Sequence, residues 1–193
     1  IRENAFDLFI ENEKDRINAS YSKKFKNLKI SGQLRKHFHF DMNIPKGYSI
    51  AFIDSTKSWI RKETAANSMD ILIYVQDYHS TDVFEPNSIK KRRNKFTRSY
   101  VPGPILGSYQ VISDKYLEPI TQELSFNDLF AVEMRGLWRV ENDFMGGPFI
   151  SYTFVDEKRK KLITIDGFMY APKQRKAVLM RELEAILWSV KFK

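Results

Sequence analysis

The sequence predicts an α+β domain in which mainly antiparallel sheets carry helices packed on them. Segments that alternate apolar and polar residues indicate strands, and other segments place apolar residues three or four positions apart, as amphipathic helices do. Of the 193 residues, 42% are hydrophobic and 14% are aromatic, a composition that excludes a disordered chain. A chain of this length buries roughly 70% of its unfolded surface, and no run approaches the ~20 apolar residues of a membrane-spanning helix.

The first part of the chain is predicted to hold a long amphipathic helix followed by four strands. The helix covers residues 4 to 28, with Phe6, Ile10 and Ile17 on its apolar face, and Ser31-Gly32 ends it. The strands alternate in polarity or are rich in β-branched and aromatic residues. They are predicted over residues 38 to 44, 48 to 53, 58 to 63 and 70 to 78.

A second helix is predicted to begin near Pro86, because a first helical turn tolerates proline, and to end at about Tyr100. Ile89, Phe96 and Tyr100 mark its inner face. Proline and glycine at residues 102 to 107 then break regular structure, and a short helix is predicted over residues 117 to 122.

The last part of the chain is predicted to contain three strands and a closing helix. The strands cover residues 129 to 140, 149 to 156 and 161 to 170, and the helix covers residues 172 to 190. A corner joins the first two of these strands and is predicted to turn on Gly146-Gly147-Pro148. We expect one of the two glycines to have a positive φ, so that the corner has a structural role. The residues of this structural motif are Arg135, Trp138, Gly146, Gly147 and Pro148.

The order of elements suggests two similar halves, residues 1 to 110 and 111 to 193, packed as one compact unit. A strand region with tryptophan and a later proline that opens a helix occur in both halves. An internal duplication would superpose Trp59 on Trp138 and Pro86 on Pro172.

Six short motifs together resemble the bacterial domain of unknown function 4837 family. They are Pro45-Lys46-Gly47-Tyr48, Trp59-Ile60-Arg61, Gly107-Ser108-Tyr109, Arg135-Gly136-Leu137-Trp138-Arg139, Met145-Gly146-Gly147-Pro148-Phe149 and Gly167-Phe168-Met169-Tyr170-Ala171-Pro172. Members of this family resemble secreted lipoproteins of Gram-negative bacteria. The resemblance therefore implies an N-terminal signal peptide, a lipidated cysteine and a further segment upstream of the region seen here. It therefore implies a periplasmic protein or one anchored to the outer membrane by an N-terminal lipid. The resemblance does not indicate an activity, because the family has no assigned catalytic residue to compare.

The formal net charge of +8 favours anionic partners. Six cations in nine residues of the second helix form a candidate anion-binding patch, because partners for so many cations are scarce nearby and most should face water. A solvated helix face is the alternative. An anionic membrane surface or an envelope protein is the expected partner, and nucleic acid is not favoured. The patch consists of Lys90, Lys91, Arg92, Arg93, Lys95 and Arg98.

The sequence predicts no catalytic residue, no metal ligand and no cofactor. The chain has no cysteine, no nucleophile elbow and no phosphate-binding loop. His37 and His39 would share one side of a strand and could bind a metal. No third ligand is close in sequence, so two histidines at a helix-to-strand junction are the favoured interpretation. His79, at the end of a strand, is likewise not favoured as a site residue.

Three carboxylates near Trp138 leave an enzyme open as an alternative. Two of the three, Glu133, Glu141 and Asp143, could form the acid pair of a glycosidase beside an aromatic platform, although a surface ion-pair ladder with Arg135 is favoured. Trp59 and Trp138 could likewise stack on sugars, although core packing is favoured. We therefore predict a non-catalytic cell-envelope module with a binding or assembly role. The alternatives are a hydrolase of cell-wall or glycan material and a binder of nucleic acid or another anionic polymer.

Overall fold

The computed structural model describes residues 12, 13, 16, 17, 19, 25 to 115 and 117 to 192. It has an α+β architecture in which helices cover both faces of an antiparallel sheet, as the sequence predicts. The strand order of this sheet is β2-β3-β4-β9-β8-β7-β5. Strand β6 also pairs with β7, along residues 129 to 135, whereas β5 pairs with residues 137 to 140. A separate pair joins β1 to β10. The strands are β1 Phe40–Asp41, β2 Ser49–Ile53, β3 Lys57–Glu63, β4 Ser68–Asp77, β5 Gln110–Ser113, β6 Ile120–Phe126, β7 Leu129–Val140, β8 Gly146–Asp156, β9 Lys161–Tyr170 and β10 Lys191–Phe192.

The α-helices are α1 (Leu28–Phe38), α2 (Pro86–Tyr100) and α3 (Lys176–Trp188), and a 3₁₀ turn, Thr81–Phe84, precedes α2. Helix α1 continues through Ser31-Gly32, so the helix end predicted there is wrong. The Asn27 side chain caps the helix by accepting a hydrogen bond from the amide of Ile30 at 3.2 Å. Buried residues four apart then hold the helix against the sheet, and they are Ile30, Leu34 and Phe38.

Two apolar layers lie on opposite faces of the sheet. On β4, Ile71 and Ile73 belong to the layer under α1 and α3, whereas Leu72 and Tyr74 belong to the layer under α2. Because successive strand residues point to opposite faces, a strand covered on both sides has no polar face to expose. Residues 162 to 169 of β9 are accordingly all buried.

The predicted superposition of two halves is wrong. Helix α2 contributes Ile89 and Phe96 to one layer, whereas α3 contributes Leu183 and Ile186 to the other. Strands β2, β3 and β4 precede α2, and strands β7, β8 and β9 precede α3. Trp59 lies on β3, the second strand of the first set, whereas Trp138 lies on β7, the first strand of the second set. The boundary predicted after residue 110 falls within β5, and strands from both sides of it share one sheet through the pairing of β4 with β9.

The structure also corrects two shorter elements. The predicted strand over residues 38 to 44 is reduced to β1, because Phe38 completes α1 and His39 adopts a left-handed φ of 63° after it. No helix forms over residues 117 to 122, because residues 117 to 119 are irregular and residues 120 to 122 begin β6. Asn127 and Asp128, with φ of 51° and 65°, form a two-residue hairpin turn that pairs β6 with β7. The helix predicted over residues 4 to 28 lies largely outside the described residues.

Within the described part of the chain, no helix has both the length and the apolar character needed to cross a membrane.

Candidate functional site

A cleft of about 430 Å³ opens on the α2 face of the sheet, at the end where β3, β4 and β9 meet the loop after α2. Several of its lining residues come from the motifs that the sequence analysis singled out. Cross-strand pairing brings them together, because Arg61 on β3 faces Asp70 on β4, and Asp70 faces Phe168 on β9. The residues that give this aromatic cleft its chemistry are Trp59, Arg61, Glu63, Asp70, Gln110, Trp138, Phe168 and Tyr170.

Asp70 is a carboxylate placed within an apolar strand, and it is only 1% exposed. Its Oδ1 accepts a hydrogen bond from the indole Nε1 of Trp59 at 2.8 Å and lies 3.3 Å from the Nε of Arg61. Burial raises the pKa of Asp70 to about 6, while the hydrogen bond from Trp59 and the charge of Arg61 offset part of that rise. A shifted pKa beside a cleft is characteristic of functional sites.

Arg61 links the charged and aromatic parts of the cleft wall. Its guanidinium carbon lies 4.8 Å from the centroid of a Trp59 ring, and its Nη2 lies 3.3 Å from Glu63. Tyr170 is half-buried, whereas Glu63 is exposed. The cleft therefore presents a carboxylate, a guanidinium and aromatic surface to any bound molecule.

Gln110 connects the cleft to a buried ion pair beneath α2. Its Oε1 accepts a hydrogen bond at 3.1 Å from the Nη2 of Arg93, which is 0% exposed. The Nε of Arg93 donates to Asp166 on β9 at 2.6 Å, and its guanidinium carbon lies 3.9 Å from the ring centroid of Phe149. The exposed position predicted for Arg93 is wrong, because Asp166 and Phe149 supply the partners that nearby sequence lacks.

The other five residues of the predicted anion-binding patch differ in their exposure and in their partners. Arg92 is half-buried, and its Nη1 donates to the carbonyl of Val83 at 3.2 Å. Lys90 forms an ion pair of 2.9 Å with Glu118. The cations of α2 that are exposed lie on one helical stripe, and they are Lys91, Lys95 and Arg98.

The predicted turn on Gly146-Gly147-Pro148 is wrong, because these residues begin β8 and the chain reverses before them. Neither glycine has a positive φ. Close packing requires them instead: a Cβ on Gly147 would lie 2.1 Å from the carbonyl oxygen of Met169. A Cβ on Gly146 would lie 2.8 Å from the carbonyl oxygen of Trp138. Trp138 is buried and donates its Nε1 proton to the carbonyl oxygen of Met169 at 3.2 Å, and a Cβ on Gly147 would also lie 3.1 Å from this Nε1.

The carboxylates considered for a glycosidase are all engaged elsewhere. Glu133 is buried, and the Nη2 of Arg135 donates to it at 2.9 Å and to Glu184 on α3 at 2.8 Å. The predicted pair of Glu133 with Arg135 is therefore present, and Arg135 is exposed, but both carboxylates are buried and Glu184 on α3 takes the place expected for Arg139. Glu141 pairs with Arg139 at 2.6 Å. The Oδ1 of Asp143 accepts a hydrogen bond from the amide of Met145 at 3.1 Å and so holds the turn before β8.

His37 and His39 lie at the junction of α1 and β1, which is the favoured interpretation of the sequence, and they do not share a strand face. His37 lies in the last turn of α1 and His39 caps that helix. His79 is exposed after β4. Across the described residues, no group of three or more histidine, cysteine, aspartate or glutamate side chains is arranged to hold a metal ion.

Asp70 is not among the site residues predicted from the sequence. The available signal was a carboxylate within the apolar run from Met69 to Tyr74, where a charged side chain needs a partner or a function. The partner, Trp59, is eleven residues away, and only the β3–β4 hairpin brings it close.

Comparison with known proteins identifies a family but no activity. The family model described as a domain of unknown function (DUF4837) matches residues 27–189. No curated protein has significant similarity to the chain. Among solved structures, a mutant of the protein Mog1 has a TM-score of 0.44 at 7% identity, covering 79% of this chain and 90% of that chain. The Saccharomyces cerevisiae Ran-binding protein Mog1p has a TM-score of 0.45 at 6% identity, covering 79% of this chain and 89% of that chain.

Proposed function

We propose that this chain, which belongs to the DUF4837 family of domains of unknown function, is a non-catalytic cell-envelope module that binds a saccharide in the aromatic cleft. The observation that carries the proposal is the position of Asp70 beneath the cleft, bonded to Trp59 and next to Arg61. Burying a carboxylate costs free energy, and a binding role explains why one is kept beneath an opening.

A saccharide fits the chemistry and the size of the cleft. Sugar rings have apolar C–H faces that pack on aromatic side chains, and Trp59 and Tyr170 supply such surface. The hydroxyl groups of the sugar can donate to the exposed carboxylate of Glu63 and accept from the guanidinium of Arg61, whereas the buried Asp70 holds Trp59 and Arg61 in position. The volume of about 430 Å³ lies within the range of pockets that hold small ligands, roughly 300–1,000 Å³.

Binding is favoured over hydrolysis because the charged groups hold one another in place. Asp70 already accepts the indole proton of Trp59, and Glu63 lies beside Arg61. One observation favours a hydrolase as the second candidate, namely the pKa of about 6 of Asp70, which suits a general acid. Release of reducing ends during incubation with an oligosaccharide would support that candidate.

A cell-envelope location is part of the proposal, and it follows from the lipoproteins that the sequence motifs resemble. The exposed stripe of Lys91, Lys95 and Arg98 on α2 supports it, because basic side chains near an anionic membrane surface each contribute ~1 kcal/mol. Fractionation of cells expressing the tagged full-length protein tests this location. Recovery in the cytosol would contradict it.

Isothermal titration with N,N′-diacetylchitobiose and with maltose tests the binding role. We expect saturable binding of at least one disaccharide, and we expect Trp59→Ala to weaken it about tenfold because an aromatic contact is lost. Phe144→Ala removes an exposed aromatic side chain outside the cleft and serves as the matched control. Equal affinity of the Trp59→Ala variant, or no heat from either sugar up to ~10 mM, a concentration at which even weak binding is measurable, would overturn the proposal.

A further inference from the structure

A second concave surface lies between the start of α2 and the β6–β7 hairpin, and its lining residues are separate from those of the aromatic cleft. This groove has a volume of about 600 Å³. A row of three aromatic rings runs along it. The ring centroids of Phe84 and Phe130 are 5.1 Å apart with the rings edge to face, and those of Tyr78 and Phe84 are 6.4 Å apart. Phe130 is 53% exposed, so its ring is accessible.

The rim of this groove is acidic although the chain as a whole is basic. Glu85, Glu123 and Glu157 line it, and the described residues that line it include no lysine and no arginine. All three carboxylates are exposed. No ion pair is found for any of them with the other described residues, whereas the chain has a net charge of +8. Three carboxylates without an ion-pair partner among the described residues, arranged around an aromatic groove, favour a positively charged occupant.

Strand β6 forms one side of the groove and pairs with β7 along one edge only. Within the described part of the chain, no other strand pairs with its second edge. In such a strand, alternate residues leave a backbone donor and acceptor unpaired, which is a template for another extended segment. Ile120, at the start of β6, is 65% exposed.

We propose that this groove docks an extended segment of a partner protein whose side chains include lysine or arginine. The segment adds a strand to β6, its cations reach the three glutamates, and one cation lies over the ring of Phe130. Backbone hydrogen bonds supply affinity in this mode of recognition, and alternate side chains supply specificity. The proposal does not depend on the saccharide role, because the two sites share no lining residue.

Fluorescence anisotropy with the labelled peptide acetyl-KVKFKVK-amide tests the groove directly. We expect saturable binding at low salt that weakens as salt is added, because exposed charges are screened. The charge-reversed peptide acetyl-EVEFEVE-amide should not bind. A basic peptide N-methylated at alternate residues should also bind weakly, because it cannot pair with β6. Equal binding of the basic and acidic peptides would overturn the proposal, as would equal binding of the methylated peptide.

Variants of the protein locate the binding surface. The triple variant Glu85→Gln, Glu123→Gln, Glu157→Gln should weaken binding about tenfold, because three exposed ion pairs are lost. Phe130→Ala should weaken it about threefold through loss of a cation–π contact. Asp114→Asn removes an exposed acid outside the groove and should leave the affinity unchanged. Unaltered melting temperatures confirm that the variants fold, and unaltered affinity in the triple variant overturns the proposal.

The oligomeric state separates a partner protein from a second copy of this chain. Analytical ultracentrifugation of the purified protein should show a monomer whose sedimentation is the same in the triple variant. A dimer of the native protein that the triple variant abolishes would assign the groove to a second copy, and the proposal of a separate partner would be wrong.

Discussion

Replacing Arg93 with methionine removes the charge of the buried ion pair while keeping most of the aliphatic stem. Arg93 and Asp166 are both 0% exposed, with Nε and Oδ2 2.6 Å apart. Removal of one partner from a buried pair costs roughly 3–5 kcal/mol, because the other charge stays buried without compensation. We expect a loss of about 4 kcal/mol in the free energy of unfolding, which for a chain of this length lowers the melting temperature by roughly 10 °C.

Urea unfolding followed by circular dichroism at pH 7 measures this loss. The Lys91→Met variant serves as the control, because Lys91 is exposed on the same helix and its replacement should change stability by about 0.5 kcal/mol or less. Burial already raises the pKa of Asp166, and loss of Arg93 raises it further. The loss in the free energy of unfolding caused by Arg93→Met should therefore be smaller at pH 5, where Asp166 can take up a proton.

A double-mutant cycle with Asp166→Leu tests the reasoning behind the magnitude. The double variant Arg93→Met, Asp166→Leu leaves no buried charge, so it should lose much less stability than the two single variants together. A loss below about 1 kcal/mol in Arg93→Met would refute the reasoning, since it would place the pair in contact with water. Strict additivity of the two single losses would refute it as well.

Three further predictions concern the cleft, its supporting strands and the charged helix. Gly147→Ala should cost about 3 kcal/mol in urea unfolding, because its Cβ would lie 2.1 Å from a backbone carbonyl oxygen of β9; a loss of a few tenths would contradict the close approach. Asp70 has a pKa of about 6 when folded against a usual value of 3.8, so the folded state binds the proton more tightly and stability should fall as pH rises from 4 to 7. The fall is at most about 3 kcal/mol, and Asp70→Asn should remove it in the same unfolding experiment. Charge reversal of the exposed stripe should abolish sedimentation with anionic vesicles at low salt without changing the melting temperature, and native protein that fails to sediment would end the membrane hypothesis. The stripe consists of Lys91, Lys95 and Arg98.

Much of the fold could be predicted from sequence because its signals are local. The start of α2 at Pro86 and the strands β7 and β9 lie within one or two residues of their predicted bounds. Periodicity and proline position act over a few residues, so a single sequence contains them. The side of the sheet on which a helix packs depends on the whole topology, and the predicted superposition of halves is wrong for that reason.

The site was harder to predict because its contacts connect distant residues. Arg93 and Asp166 are 73 residues apart, so a run of basic residues gave no sign that one of them would be buried. Gly147 shows a second limit. A glycine next to a proline indicates a turn, but the same residue also permits close contact between backbones, and sequence alone does not distinguish the two.

The pairing of β4 with β9 has a consequence for how the chain folds. Ser68 pairs with Tyr170, so the middle of the sheet closes a segment of about a hundred residues. Folding rates fall as contacts become less local, and we expect this domain to fold in milliseconds to seconds rather than microseconds. Until β9 pairs with it, β4 has one edge whose backbone donors and acceptors are unpaired. The partly folded chain therefore passes through a period in which aggregation is a risk, and a chaperone that covers this edge would raise the yield of native protein.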